Sequence, residues 1–309
     1  MSVIHDLFFD YTLRNIALGS MLLGIVSGVL GSYAVLRRQG LLGDTLSHAA
    51  LPGIVLAFIL TGSRTSIVLL FGAGIAGWIG TLILLRTVKN TKLSEDTMLG
   101  VVLSTFYGLG ILLLTWVQGQ NNANQAGLDR YLFGQAASII ASDVVTFFVL
   151  GVAALIVVFL LYKEFKLLSF DPEFAYSIGF PVKYLDILLT SLIVVAVMIG
   201  LQTVGVVLMA AMVIGPGTAA RQWTDRMGVM LLLAGFFGAA AGVTGAVLSV
   251  QASRLPTGPM IILALTAIVL VSIFFAPNRG ILPDAIRRRR QREAIRRTGV
   301  PMGLPEVPQ

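Results

Sequence analysis

Apolar residues fill this chain in long, nearly uninterrupted runs separated by short polar stretches. Neither a period of two nor a single amphipathic stripe describes that pattern; it is the pattern of helices that are apolar all round. A helix that spans a bilayer needs about 20 mostly apolar residues. Nine stretches come near that length, roughly Asn15–Leu36, Leu46–Leu60, Thr65–Leu85, Met98–Val117, Val144–Tyr162, Tyr184–Leu201, Val204–Ala220, Met227–Val250 and Pro259–Phe275. The second is short. The sixth and seventh are parted only by Gln202-Thr203, which reads as a tight turn or a broken helix, so the count lies between eight and ten. The expected fold is an all-α, polytopic membrane helical bundle of about nine transmembrane helices. Its expected divisions are an external segment over 1–14, a membrane domain over 15–278 and a basic tail over 279–309.

Composition agrees. Of 309 residues, 56% are hydrophobic and 12% charged, and the mean hydropathy is +0.89. Soluble domains carry about 25% charged residues, so an ordinary soluble protein and a disordered chain are both excluded. Thirty-three glycines suit close helix packing in lipid. With no cysteine and only two histidines, His5 and His48, disulfides, thiol nucleophiles and a histidine-rich metal site within one chain are ruled out.

The formal net charge is +7. Its placement removes nucleic acid as a partner: the tail alone holds +5, eight arginines against Asp284, Glu293 and Glu306. The nine-span reading puts eighteen of the 22 basic residues on one side, among them Arg37, Arg38, Arg86, Lys163, Lys183, Arg226 and the tail, and four (Arg14, Arg64, Arg130, Arg254) on the other. By the positive-inside rule the N-terminus is expected outside and the C-terminus in the cytoplasm. The first apolar run is expected to stay in the membrane: Asp6 and Asp10 precede it and Arg37-Arg38 follow it, the reverse of a cleavable leader.

Two polar segments stand out. Residues 118–130, QGQNNANQAGLDR, read as a solvated external connection or a docking surface. Residues 163–183, KEFKLLSFDPEFAYSIGFPVK, hold a complete set of helix signals: Asp171 as N-cap, Pro172 at the first position, Glu173 in the first turn, Gly179 just past the end and Pro181 barring continuation. So short a helix is unstable alone, and its apolar Phe174, Tyr176 and Ile178 offer a contact to a partner.

Ionisable residues within a bilayer are costly and mark function. The clearest are Asp44 and His48, four apart and therefore on one helix face. A carboxylate oxygen and an imidazole nitrogen make half of a site for manganese, zinc or ferrous iron. Two ligands are too few for tight binding, and a second copy across a two-fold axis would supply the same two again. The other reading makes Asp44 an N-cap and His48 a packed core residue, with Thr45 and Ser47 facing the bundle. Gln202, Thr203 and a break or kink at Gly215-Pro216-Gly217 read as structural. No phosphate-binding loop, HExxH or GxSxG occurs, so no enzyme activity and no ATP hydrolysis are expected of this chain.

Three stretches together resemble one family. VLRRQGLLGDTLSHAALPGI (35–54), SFDPEFAYSIGFPVKYLD (169–186) and TVGVVLMAAMVIGPGTAARQWTDR (203–226) are similar to the permease subunits of manganese/zinc/iron-type ABC importers, relatives of the vitamin B12 and siderophore permeases without their first helix. The resemblance covers about residues 10–280 and implies a type II importer fold in the bacterial inner membrane. It implies a homodimer joined by two ATP-binding cassette subunits and fed by an extracytoplasmic metal-binding protein. It further implies Asp44 and His48 as metal ligands along the path, and Asp171, Pro172, Glu173, Phe174, Tyr176 and Gly179 in a helix that couples to the ATPase. The metal is substrate; no resident cofactor is implied. GDTLSHAALPG differs from a zinc-type GDTLAHASLLG at Ser47 and Pro52, among other positions, and so leans towards manganese. The competing classes are a zinc-specific permease, an ion-coupled secondary transporter, which calls for inverted repeats and several membrane carboxylates, and an intramembrane enzyme, for which no acid–base set is present.

Overall fold

The computed structural model describes residues 10–63, 65–119, 134, 139–251 and 255–288. Among them are eleven helices and no strand: α1 (Tyr11–Leu36), α2 (Leu42–Thr61), α3 (Ser66–Asn90), α4 (Glu95–Gln118), α5 (Ala141–Leu160), α6 (Tyr162–Phe170), α7 (Pro172–Ser177), α8 (Val182–Thr203), α9 (Val206–Trp223), α10 (Met227–Gln251) and α11 (Thr257–Phe275). To these eleven is added a twelfth, α12, which begins at 281 and is described as far as 288. Of the segments singled out in the sequence, 118–130 lies almost wholly outside the described residues, as do 1–9 of the external segment, 289–309 of the basic tail over 279–309, Arg64 and Arg254.

Eight of these helices are long and apolar enough to cross a membrane. They match eight of the nine expected spans. The ninth, α9, has 18 residues, contains Pro216 and ends on Arg221-Gln222-Trp223. It runs unbroken through Gly215-Pro216-Gly217, where a break or a kink was expected, because neighbouring helices pack against that stretch: Gly217 lies against Ser32 and Gly215 against Leu265.

The helix α1 is the hub, buried around most of its length. Lipid tails are as apolar as leucine, so helices in a bilayer adhere by close packing rather than by expulsion from water. The crossing of α1 with α10 shows how close. A Cβ on Gly24 would fall 2.1 Å from the Gly238 carbonyl oxygen, and one on Gly238 2.0 Å from that of Gly24. The neighbouring turns repeat it, Gly28 against the Ala234 carbonyl and Gly242 against that of Ser20. No residue but glycine fits at Gly24 or Gly238. Serines on α1 return their hydroxyls to their own helix, Ser27 to the Leu23 carbonyl and Ser32 to that of Gly28, both at 2.7 Å.

The junction of α8 and α9 is a turn of two residues. Gly205 has a φ of +87°, open to glycine and strained for other residues. Neighbours along α1 establish the reversal: α8 passes Arg37 at Asp186 and Leu23 at Gly200, whereas α9 passes Gly200 at Met209 and Gly31 at Val213. Thr203, Val204 and Val206 are fully buried. The backbone of Gly134 rests on this turn, so close that its Cβ would meet the Thr203 oxygen at 2.5 Å.

Candidate functional site

Helix α2 carries the first candidate pair. It begins at Leu42, four residues before the expected start, with Leu41 as an N-cap that makes no side-chain bond. Asp44 is therefore inside the first turn and is not the N-cap; its carboxylate stays free of the backbone. His48 Nε2 lies 3.2 Å from Asp44 Oδ1. The imidazole stands edge-on to the Tyr107 ring of α4, centroids 4.6 Å apart at 76°, and its Nδ1 is buried without a partner.

The other polar groups of this turn face away. Thr45 donates to the Leu99 carbonyl at 3.2 Å and Ser47 to the Asp44 carbonyl at 2.9 Å. Both are buried, and so is Pro52. The two residues on which the sequence leaned towards manganese thus sit in the packing behind the pair and present no ligand atom beside it.

The pair itself opens outward: the Asp44 side chain is 32% exposed and that of His48 13%. Beside them α4 presents an unpacked face of Gly100, Ser104, Tyr107 and Gly108. A Cβ on Gly100 or Gly108 would meet nothing within 4 Å. Among the described residues no group of three or more His, Cys, Asp or Glu side chains comes together. One chain offers an ion an oxygen and a nitrogen on an open wall, and no closed cage.

Below the pair, the α1–α2 connection is pinned to its neighbours. Arg37 donates to Asp186 at the start of α8, and Gln39 to Glu95 at the start of α4. Arg37 and Asp186 are 149 positions apart. No local signal joins them or links Gln39 to Glu95. Tyr107 was missed for the same reason: a tyrosine in an apolar run announces nothing until α4 lies against α2. Gln202 keeps a buried, unpartnered oxygen, while Thr203 bonds back to the carbonyls of Ile199 and Gly200.

The second candidate lies at the Arg37 end of the bundle. Asp171 caps α7 by accepting from the Phe174 N–H at 2.9 Å, with Pro172 at the helix start. Gly179, φ +90°, ends it, and the Gly179 and Phe180 amides donate to the Tyr176 and Ala175 carbonyls, both at 3.0 Å. The sequence placed the helix at about 171–179; its regular part is Pro172–Ser177. What the sequence did not separate is α6, a nine-residue helix directly before it. Buried Phe165 and Leu168 anchor α6, Phe165 edge-on to Tyr33 at 5.8 Å, and buried Ala175 anchors α7. The anchored pair leaves Phe170, Phe174, Tyr176, Ile178 and Tyr184 uncovered, Tyr176 at 76%. Glu173 sits in the first turn of α7.

Comparison with known proteins gives a consistent answer. The model of the ABC 3 transport family matches residues 9–276. The chain is 48% identical to the zinc transport system membrane protein TroC of Treponema pallidum, over 94% of this chain and 97% of that protein. It is 45% identical to the manganese transport system membrane protein MntC of Bacillus subtilis, over 93% of this chain and 66% of that one. Among solved structures it is similar to PsaBC from Streptococcus pneumoniae in complex with Fab, with a TM-score of 0.79 and 29% identity over 93% of this chain and 98% of that chain.

Proposed function

The chain belongs to the ABC 3 transport family, and on that premise we propose that it is the membrane permease subunit of an ABC importer for divalent transition-metal ions. The observation that carries the proposal is the Asp44–His48 pair, two hard-to-borderline ligands 3.2 Å apart on an open, membrane-level wall. The ion is cargo. A second copy of the chain faces the first, and the two pairs together supply four ligands on the path.

Each residue has a step. A binding protein on the outer side releases the ion to the dimer. Asp44 takes it through carboxylate oxygen, and His48 through imidazole nitrogen. Tyr107 fixes the plane of the imidazole by its edge-on contact. Arg37 and Gln39 hold the start of α2 to α8 and α4, which keeps the pair in register with the α4 wall. Two ligands per chain bind loosely enough for the ion to leave, as a pathway requires.

ATP hydrolysis belongs to separate subunits. Helix α7, with Phe174 and Tyr176 uncovered beside Phe170 and Ile178, fits a groove on each ATPase. Asp171, Pro172, Glu173 and Gly179 hold its ends. The basic flanks support a cytoplasmic position for α7 and the C-terminus and an outer position for the N-terminus.

Manganese and zinc are the leading cargoes, with ferrous iron in the same ligand class. The test is uptake of labelled manganese, zinc and iron by cells with and without the chain. Metal-dependent uptake that vanishes with the chain supports the proposal; equal uptake in both strains overturns it. An ATP-binding subunit that co-purifies at equal stoichiometry separates this reading from a secondary transporter. Orientation is read from C-terminal fusions: a fluorescent protein that lights up, and an alkaline phosphatase that stays inactive, place the tail inside.

A further inference from the structure

Beyond α11 the chain turns through 276–280 and forms α12 over 281–288. One bond ties the turn before this helix to the Arg37 end of the bundle, and a second ties the helix back to that turn. Arg279 Nη2 donates to Asp225 Oδ1 at 2.8 Å, and Arg287 Nη2 donates to the Pro277 carbonyl at 2.8 Å. Asp225 also lies 3.6 Å from Arg221 Nη1, so the anchor joins the ends of α9 and α11.

The orientation of α12 is informative. Pro283 and Asp284 are half-buried towards the protein. Ile281, Leu282, Ala285 and Ile286 are all exposed, the three large ones at 54, 44 and 51%. At about 100° per residue these four fill one continuous arc of about 140°, with Arg288 beside its edge and Arg287 on the opposite side. The apolar surface continues upward: Phe274 and Phe275, the last residues of α11, are uncovered too. Such an arc, edged by a guanidinium group and directly following a spanning helix, is the composition of a helix that lies in the headgroup–acyl boundary. Sequence adds Arg289, Arg290, Arg292, Arg296 and Arg297 beyond the described residues.

We propose that α12 is an interfacial helix that docks on anionic lipid of the cytoplasmic leaflet, with Ile281, Leu282, Ala285 and Ile286 in the acyl boundary and Arg288 on lipid phosphate. This rests on the reading that the C-terminus faces the cytoplasm. Charge complementarity selects lipid over an apolar protein groove, because each arginine near an anionic surface favours docking, and the continuity with α11 sets the helix at the right depth.

The chain has no cysteine, so I286C in the full chain carries one environment-sensitive fluorophore. The labelled permease is placed in nanodiscs of phosphatidylcholine, with or without phosphatidylglycerol, containing brominated acyl chains. The expected result is quenching that strengthens with phosphatidylglycerol. R288Q lowers the docked-to-undocked ratio in the anionic discs by about five-fold. Absence of quenching in both lipids overturns the proposal. So does quenching that ignores both phosphatidylglycerol and the R288Q change, and so does shielding that arises only when purified ATP-binding subunit is added, which assigns the arc to protein. Both nanodisc leaflets have the same composition, so this result stands apart from the fusion reporters, which test orientation alone.

Discussion

The α2 wall and the α6–α7 pair break opposite rules. Asp44 and His48 are polar groups placed where the surroundings are apolar; Phe174, Tyr176 and Ile178 are apolar groups placed at the end of the bundle, clear of its core. On insertion scales an aspartate costs about 2.5–3.5 kcal/mol at the centre of a spanning helix, an upper bound for Asp44 in the first turn of α2. Leaving a phenylalanine or isoleucine uncovered in water forgoes about 1.5–3 kcal/mol. Each region is incomplete in the solvent it meets, and the proposed function gives each a partner: an ion with further ligands for the first, a protein groove for the second. The lesson is that a functional residue in a membrane protein is found by asking which solvent it offends.

The comparison can be broken by exchanging the defects. D44A and H48A should each bring metal uptake to the background of cells lacking the chain, while the complex still assembles and co-purifies with its ATPase. Normal uptake by both would remove the pair from the path. The next largest effect belongs to the other region. F174A combined with Y176A should leave the metal pair untouched and cut transport per ATP hydrolysed by an order of magnitude, together with loss of ATPase co-purification; unchanged coupling would strip α7 of its role.

Smaller effects sharpen the boundary between ligand and support. Y107F keeps the ring that faces His48 and should leave uptake within about two-fold, whereas Y107A removes an aromatic contact of about 0.5–1.5 kcal/mol and should lower it several-fold. D171A deletes the N-cap of α7 at about 1 kcal/mol, a partial version of the F174A/Y176A defect that low temperature should relieve. S47A combined with P52L should leave the ratio of manganese to zinc uptake unchanged, because both side chains point into the packing behind the pair. A shifted ratio would show that the backing of the wall, rather than its face, selects the metal.

Much of this was legible in the residues. Long apolar runs mark spans directly, since a lipid-facing helix has no polar stripe to confuse the reading, and eight helices of the required length and composition follow them. The caps of α7 were legible because Asp-Pro and Gly act locally. Helix α6 was not: Lys163, Glu164 and Lys166 look like a solvated connector, and only the fold reveals that Phe165 and Leu168 enter the core. The start of α2 was misjudged because Leu41 caps it without a side-chain bond. Of the break or kink expected at Pro216 there is no break, because tertiary packing holds the helix through it. Asp44 and His48 were found by their scarcity, but Tyr107, Glu95 and Asp186 join the region from 56 to 149 positions away along the chain in the case of the last two, and only folding shows such neighbours.

The bare crossing of α1 and α10 bears on how such a machine moves. Where two helices meet through side chains, they slide by letting rotamers change places. At Gly24 and Gly238 there are no side chains to yield, and any slip would drive one carbonyl into the other backbone. These two helices are therefore a chassis. If the proposed import cycle holds, its rocking falls to the lightly packed α4 and to α6 and α7.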